Sequence, residues 1–309
     1  MLVYTIRRLL WLPVLLLTVA FITFVLGVYG PGDPVQVLMG QKVNPEARER
    51  VRHELGLDRP LYEQFASYVS NVLRGDFGTS IKNRGEPVAS LIAPRAWVSA
   101  QLAFVALVLS IVLGIPLGIV AALHQRTIWD YLGIGISLIG LSMPSLALIP
   151  MMLWLFSWQL KMLPAAGWDG VFSPRIIMPA IVLGLGPMAI LARQTRASLI
   201  EVLGQDYVRT AHAKGLLPSV VLVQHILRNG LIPIVTLIGL MLGGLVEGAF
   251  ITETFFGIPG IGRFTVDSLF ARDYPVIMAT TLIGGVTYTL ANLLVDLSYA
   301  FLDPRIRYR

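Results

Sequence analysis

The chain contains no cysteine, which excludes disulfide frameworks, thiolate nucleophiles and Cys-ligated metals. Histidine is sparse. His53, His124, His212 and His225 are scattered, with no metal-ligand spacing. Familiar catalytic signatures are missing as well: no His-Glu-x-x-His, no Gly-x-Ser-x-Gly and no Gly-x4-Gly-Lys-Ser/Thr phosphate loop. Charge is the largest deficit. Only 14% of the 309 residues are charged, against about 25% in soluble domains. What fills the space is apolar: 55% hydrophobic residues and a mean hydropathy of +0.73. That balance places the chain in the membrane class before any motif is read.

A bilayer core takes about 20 apolar residues as a helix. Uncharged runs that meet this test lie at 9–29, 97–123 and 132–158. A shorter run, 176–192, is bounded by Arg175 and Arg193. Two more, 231–250 and 276–301, are each interrupted by one acid. The reading is an all-α polytopic membrane protein with six transmembrane helices. The first run follows Arg7 and Arg8 like a signal peptide's n-region. It is too long for an h-region and lacks a clear small-residue cleavage site, so it reads as an uncleaved anchor.

Orientation follows from Lys and Arg in the short loops. With the N-terminus inside, the cytoplasmic pieces hold 11 basic residues and the two short outer loops hold 4. The long loop 30–96 carries nine basic and eight acidic residues, and loops of this length translocate largely regardless of charge. Both termini are expected in the cytoplasm. The expected organisation is an anchor helix plus extracytoplasmic subdomain over 1–96 and a membrane domain over 97–309.

The outer loop has its own helices. Asn44 caps a short one, Pro45 sits in its first turn, Gly56 stops it, and Ala47, Val51 and Leu55 share a face. A second amphipathic segment presents Leu61, Phe65, Val69 and Val72. The loop 30–96 as a whole is either a lid lying on the membrane domain or a docking site for an extracytoplasmic partner. "FFGIPGIGRF" (255–264) is a Gly/Pro turn cluster. It is plain turn chemistry or a re-entrant, pore-capping loop, with Phe256, Pro259 and Gly260 as candidate outer contacts. Three acids stand out. Glu247 and Asp296 fall within expected spans and Glu253 at an outer edge; each is a structural hydrogen-bonding group or part of a polar pathway. Gly114/Gly118 and Gly239/Gly243 fit close helix packing.

The one long polar interruption on the cytoplasmic side is 206–233, "DYVRTAHAKGLLPSVVLVQHILRNGLIP". Its first segment reads as a short helix stopped by a left-handed Gly215, with Lys214 suited to the last turn. Pro218 restarts the chain with Ser219 as cap, and Val220, Val223 and Leu227 form an apolar face. A helix this short is marginal alone and needs a surface. Tyr207, Val208 and Ala211 offer an apolar patch flanked by Arg209 and Lys214. Anionic lipid and a protein groove are equal candidates on this physics alone.

The same stretch resembles the coupling motif of ABC importer permeases, Glu-Ala-Ala-x3-Gly. Arg209, Thr210 and Ala211 take its first three places and Gly215 its Gly; only Ala211 and Gly215 match the general consensus. The departures fit the peptide-importer branch, whose loop looks like "DYVRTAxAKGL…LRNxLxP". Further matches run in order along the chain: "PGDP" (31–34), "LGLDRPLYEQF" (55–65), "GDFGTS" (75–80), "GIPLGIVAAL" (114–123), "SMPSL" (142–146), "TETFFGIPGIG" (252–262), "RDYP" (272–275) and "DPRIR" (303–307). The chain resembles the B-type permease subunit of dipeptide/oligopeptide ABC importers. The resemblance implies a bacterial inner-membrane subunit pairing with a homologous second permease. It implies two cytoplasmic ATPase subunits that bind ATP and Mg, and an extracytoplasmic binding protein that delivers peptide. It implies an ATPase-coupling role for Tyr207, Arg209, Thr210, Ala211, Lys214 and Gly215. It implies no cofactor in this chain, no enzymatic activity and no nucleic acid; lipid is the surrounding partner. Related permeases handle glutathione, nickel chelates or other small solutes. An intramembrane hydrolase and an ion-coupled secondary transporter are the competing classes, the first without a catalytic motif and the second without a visible half-to-half repeat.

Overall fold

The computed structural model describes residues 2–29, 44–54, 58–83 and 85–302; the side chains of 2–9, 29, 47–48, 51, 54, 242–248 and 294–302 lie outside the description. The elements are helical: α1 (Leu2–Tyr29), α2 (Pro45–Glu54), α3 (Leu61–Leu73), α4 (Val88–Leu123), α5 (Ile128–Ser142) and α6 (Ser145–Met152), which runs on as a π-helix, Leu153–Gln159. A 3-10 turn, Pro174–Ile176, leads into α7 (Ile177–Leu203), followed by α8 (Asp206–Ala213) and α9 (Pro218–Val220). A second π-helix, Val221–Leu227, joins α9 to α10 (Arg228–Gly230). The chain then forms α11 (Ile232–Phe256), α12 (Ile261–Ala271) and α13 (Tyr274–Leu302). Among the described residues the only β pairing is an isolated bridge between Thr79 and Pro87.

Four stretches are long and apolar enough to cross a membrane: Leu10–Val28, Val88–Leu123, Pro174–Leu203 and Tyr274–Leu293. Two bent helix pairs bring the count to six if each is one span: Ile128–Ser142 with Ser145–Gln159, bent by 104°, and Pro218–Gly230 with Ile232–Met241, bent by 47°. The first bend corrects the expectation of one straight helix over 132–158. Met143 is extended (φ −84°, ψ 114°) because Pro144 follows it, and a residue before proline is pushed out of the helical region. The run at 176–192 continues to Leu203, past Arg193 and Arg196; Arg196 is tolerated because it is paired, as described below.

The chain divides into two compact units. One comprises Met1–Ser99 and Pro259–Thr289. Its core is Val88, Leu91, Ile92, Phe264, Val276 and Ala279. Within it α3 lies along α1. Phe65 meets Phe21 edge-on at 5.2 Å and Phe24 at 5.6 Å, and Tyr68 meets Phe24 at 5.5 Å. Burial pushes the Tyr68 hydroxyl pKa up. Val69 and Val72 line an apolar cavity of about 410 Å³ with Leu12, Leu16 and Leu282. Three of the four apolar residues expected on α3 thus face inward, and Leu61 stays exposed. The Asn44 cap is present, accepting from the Glu46 N–H at 3.3 Å. Gly56 and the face of Ala47, Val51 and Leu55 lie outside the described residues.

The other unit comprises Ala100–Ile258 and Leu290–Arg309. Helix α7 is its centre, packed extensively on α5 and α11. Glycine makes the approach of α4 to α7 possible. A Cβ added at Gly118 would stand 2.5 Å from the Ala192 carbonyl oxygen, one at Gly114 2.7 Å from that of Met188, and one at Gly184 2.8 Å from that of Ala106. The Gly114/Gly118 pair therefore does what small residues four apart permit. Gly243 lies outside the residues whose surroundings are described.

Candidate functional site

Helix α8 and its seat form the site. Asp206 provides an acid in the first turn and His212 a basic group in the last, each matched to its end of the helix dipole. Arg209 reaches back to Asp206 at 3.7 Å, both exposed. Thr210 Oγ1 donates to the Asp206 carbonyl at 2.9 Å. The helix ends in a Schellman turn. The Leu216 N–H donates to the Ala211 carbonyl at 3.4 Å and the Gly215 N–H to that of His212 at 2.9 Å. Gly215 takes φ +76°, where L side chains are strained. No atom lies within 4 Å of a Cβ built there, so the glycine answers a conformational need and no steric one.

The apolar side of α8 is already occupied. Val208 and Ala211 are buried in a cluster with Ala122 of α4, Leu199 of α7, and Val221 and Ile226 of the π-helix. The apolar patch expected to need a lipid or protein surface is thus covered, at Val208 and Ala211, from within the chain. The chain supplies the covering surface itself, and the small Ala211 serves close packing inside it. Tyr207 is half-exposed, and its Oη accepts from Asn229 Nδ2 at 3.2 Å. What α8 leaves exposed is mostly polar: the acid Asp206, then Arg209, Thr210 and His212, with Lys214 and Gly215 following the helix.

Beyond Gly215 two local expectations change. Leu217, not Ser219, holds the cap position, and Pro218 opens the helix at its first turn. The buried residues are Val221 and Ile226, whereas Val223 is 59% exposed. The segment is a π-helix with i→i+5 geometry, so residues five apart share a face and the 3.6-residue pattern misleads.

An ion pair underlies this seat. Arg196 of α7 donates to both carboxylate oxygens of Asp130 of α5, Nε to Oδ1 at 2.5 Å and Nη2 to Oδ2 at 2.9 Å. The Arg126 N–H also donates to Oδ2 at 3.0 Å. The Asp130 side chain is 3% exposed and that of Arg196 28%. The α4–α5 turn, the start of α5 and the last third of α7 are thus tied together, one helical turn from Leu199. Sequence reading counted Arg196 as a loop cation and overlooked Asp130. The available signal was one charge of each sign at corresponding ends of two apolar runs.

A second carboxylate, in the other unit, was also missed. Asp273 is buried and accepts from Ser80 Oγ at 2.5 Å and from the Ile81 and Lys82 N–H groups at 3.1 Å each. It joins the quoted motifs "GDFGTS" and "RDYP". Of the expected outer contacts, Phe256 is fully buried, because it closes α11 inside its unit and its carbonyl accepts from the Gly167 N–H at 2.8 Å. Pro259 is exposed and Gly260 buried. Glu253, expected at an edge, is fully buried. The side chains of Glu247 and Asp296 lie outside the described residues.

The family described as "Binding-protein-dependent transport system inner membrane component" matches residues 114–308, and its N-terminal counterpart matches residues 1–91. The chain belongs to this family. It is 41% identical over 309 residues to a glutathione transport system permease protein of Escherichia coli, covering all of both chains. It is 38% identical to a dipeptide transport system permease protein of Alkalihalophilus pseudofirmus, again over the whole of both, and 38% identical to its Escherichia coli counterpart over 97% of this chain and 95% of that one. Among solved structures, the inward-facing MetNI methionine ABC transporter matches with a TM-score of 0.60 at 18% identity, over 71% of this chain and 99% of that chain. An amino acid ABC transporter matches at 0.54 and 14% identity, over 69% and 94%. These two likenesses speak for the fold. The chain is an ABC importer permease, a multi-pass inner-membrane protein whose relatives are transport components with no catalytic function assigned.

Proposed function

We propose that this permease is half of the translocation pore for short peptides, with each bent pair forming one span to give six in all and both termini cytoplasmic. The observation that carries the reading is end-to-end similarity to permeases named for dipeptide and for glutathione, two cargoes that share a short peptide backbone. A homologous second permease completes the pore. Two ATPase subunits bind ATP and Mg, and one of them docks on the exposed face of α8, where Arg209 and Lys214 meet acids. Because Val208 and Ala211 are anchored in α4 and α7, a push on α8 reaches the spans directly. An extracytoplasmic binding protein delivers the peptide.

The test is reconstitution of the assembled importer in proteoliposomes with its ATPases and binding protein, measuring ATP-dependent uptake. Labelled dipeptide, glutathione and a nickel chelate are compared. Uptake of a peptide cargo that needs both ATP and binding protein is expected. Uptake that survives ATP depletion and collapses with the ion gradient would make the chain a secondary transporter instead. Saturable uptake of the nickel chelate alone would remove the peptide assignment.

A further inference from the structure

In the unit containing Asp273, a cleft of about 180 Å³ is lined by Lys82, Asn83, Arg95, Arg263, Phe264 and Asp267. Three of these carry positive charge and one negative. The Arg95 guanidinium lies over the Phe264 ring at 4.1 Å and donates to the Leu91 carbonyl. Arg263 stands 3.7 Å from Asp267. Among the described residues neither Lys82 nor Arg95 forms an ion pair within 4.0 Å, although Glu86 acts on Arg95 electrostatically from farther away.

The cleft is pre-formed. Lys82 sits on a turn whose backbone is held by the buried Asp273 carboxylate, directly at its own N–H. The Asn83 N–H closes the same turn on Ser80 Oγ at 2.9 Å, and the Ser80 N–H donates to the Glu86 carbonyl at 2.9 Å. A lysine on so fixed a turn loses little backbone freedom when it binds something. The volume is below the roughly 300 Å³ at which pockets begin to enclose small molecules. It suits a single planar acid group, and Arg95 offers the fork that matches one. Asp267, which lines the cleft and pairs with Arg263, offsets one of its three positive charges and so favours a singly charged acid over a doubly charged phosphate.

We propose that this cleft is a socket for one carboxylate side chain on a protein docking at the outer face, the binding protein that delivers the cargo. The proposal rests on the function proposed above, which puts residues 82, 95 and 263 outside the membrane. Charge complementarity at such a rim sets the docking affinity and makes it salt-dependent.

The test uses the whole importer in nanodiscs. ATP hydrolysis is titrated with cargo-loaded binding protein at low and at physiological salt. Lys82→Gln should raise the half-saturating concentration roughly three- to tenfold, and Lys82→Glu more than tenfold, with a weaker salt dependence in both. Arg95→Lys, which loses the planar fork and its stacking on Phe264, should also weaken docking, and Arg95→Gln more strongly. If Arg95→Gln fails to assemble, the exposed Lys82→Glu still decides. An acid-to-base substitution in the binding protein that restores Lys82→Glu identifies the partner carboxylate. Unchanged half-saturation in Lys82→Glu, with the unaltered complex stimulated normally, overturns the socket and leaves the permease assignment standing. A shift confined to the KM for transported peptide also overturns it, making the cleft a cargo subsite. No stimulation of the unaltered complex by its binding protein defeats both readings.

Discussion

Replacing Asp130 by Asn tests the seat of α8 most directly. The substitution keeps the shape and removes the charge that Arg196 neutralises. Removing one member of a buried ion pair costs about 3–5 kcal/mol, because it leaves the other charge uncompensated. Arg196 is 28% exposed and can recover some hydration, and Asn still accepts from the Arg126 N–H. The lower end, about 3 kcal/mol, is therefore expected. On the scaling of large domains, about 2 °C per kcal/mol or more, the detergent-solubilised protein should melt roughly 6 °C lower. Arg196→Gln should cost a similar amount. The double variant Asp130→Asn/Arg196→Gln should lose well under the sum, with a coupling above about 1 kcal/mol. Because Arg196 lies one turn from Leu199, which contacts the α8 cluster, amide exchange over 206–213 should also quicken in both single variants. Strictly additive melting shifts would refute the pair as an energetic unit. Unchanged exchange in α8 would refute its role in supporting that helix.

Gly215→Val should destabilise by roughly 1–2 kcal/mol, because its left-handed backbone strains a β-branched side chain, whereas Gly215→Asn should be nearly silent. Thermal melting of the solubilised protein checks the pair, and ATPase stimulation in the complex should follow the same order; equal loss in both would point to steric exclusion by a partner. Gly118→Ala forces a methyl against the Ala192 carbonyl and should cost about 1–3 kcal/mol, read in the same melting assay. Asp273→Asn replaces one acceptor oxygen with a donor facing N–H or O–H groups. It should release the 80–83 turn, seen as faster amide exchange at Ile81 and Lys82 and quicker tryptic cleavage after Lys82.

What could be read from the sequence was what depends on neighbours in the chain. The long apolar runs gave helices, and Gly215 gave the stop because a left-handed turn needs only local geometry; the break at Pro144 is equally local but was passed over when 132–158 was read as one run. The direction in which α8 buries itself was not local. A helix of eight residues has an apolar side whether its cover is another protein or its own α4 and α7, and nothing in "DYVRTAHA" distinguishes them. The face of the next segment was misread for a different reason. Its pattern was projected at 3.6 residues per turn, and the π-helix moved burial from Val220 and Val223 to Val221 and Ile226. Two of the buried carboxylates were hidden by distance: Asp130 finds Arg196 across 66 residues and Asp273 finds Ser80 across 193. Each looked like an ordinary charge at the end of a span. Their cost of burial is what makes them informative, since a lone carboxylate that deep would be protonated or expelled. An acid or base at the very edge of an apolar run therefore calls for a search for its opposite at the matching edge of every other run. In this chain that search pairs Asp130 with Arg196, and it recasts the basic end of α7 as structure where charge counting alone had seen only topology.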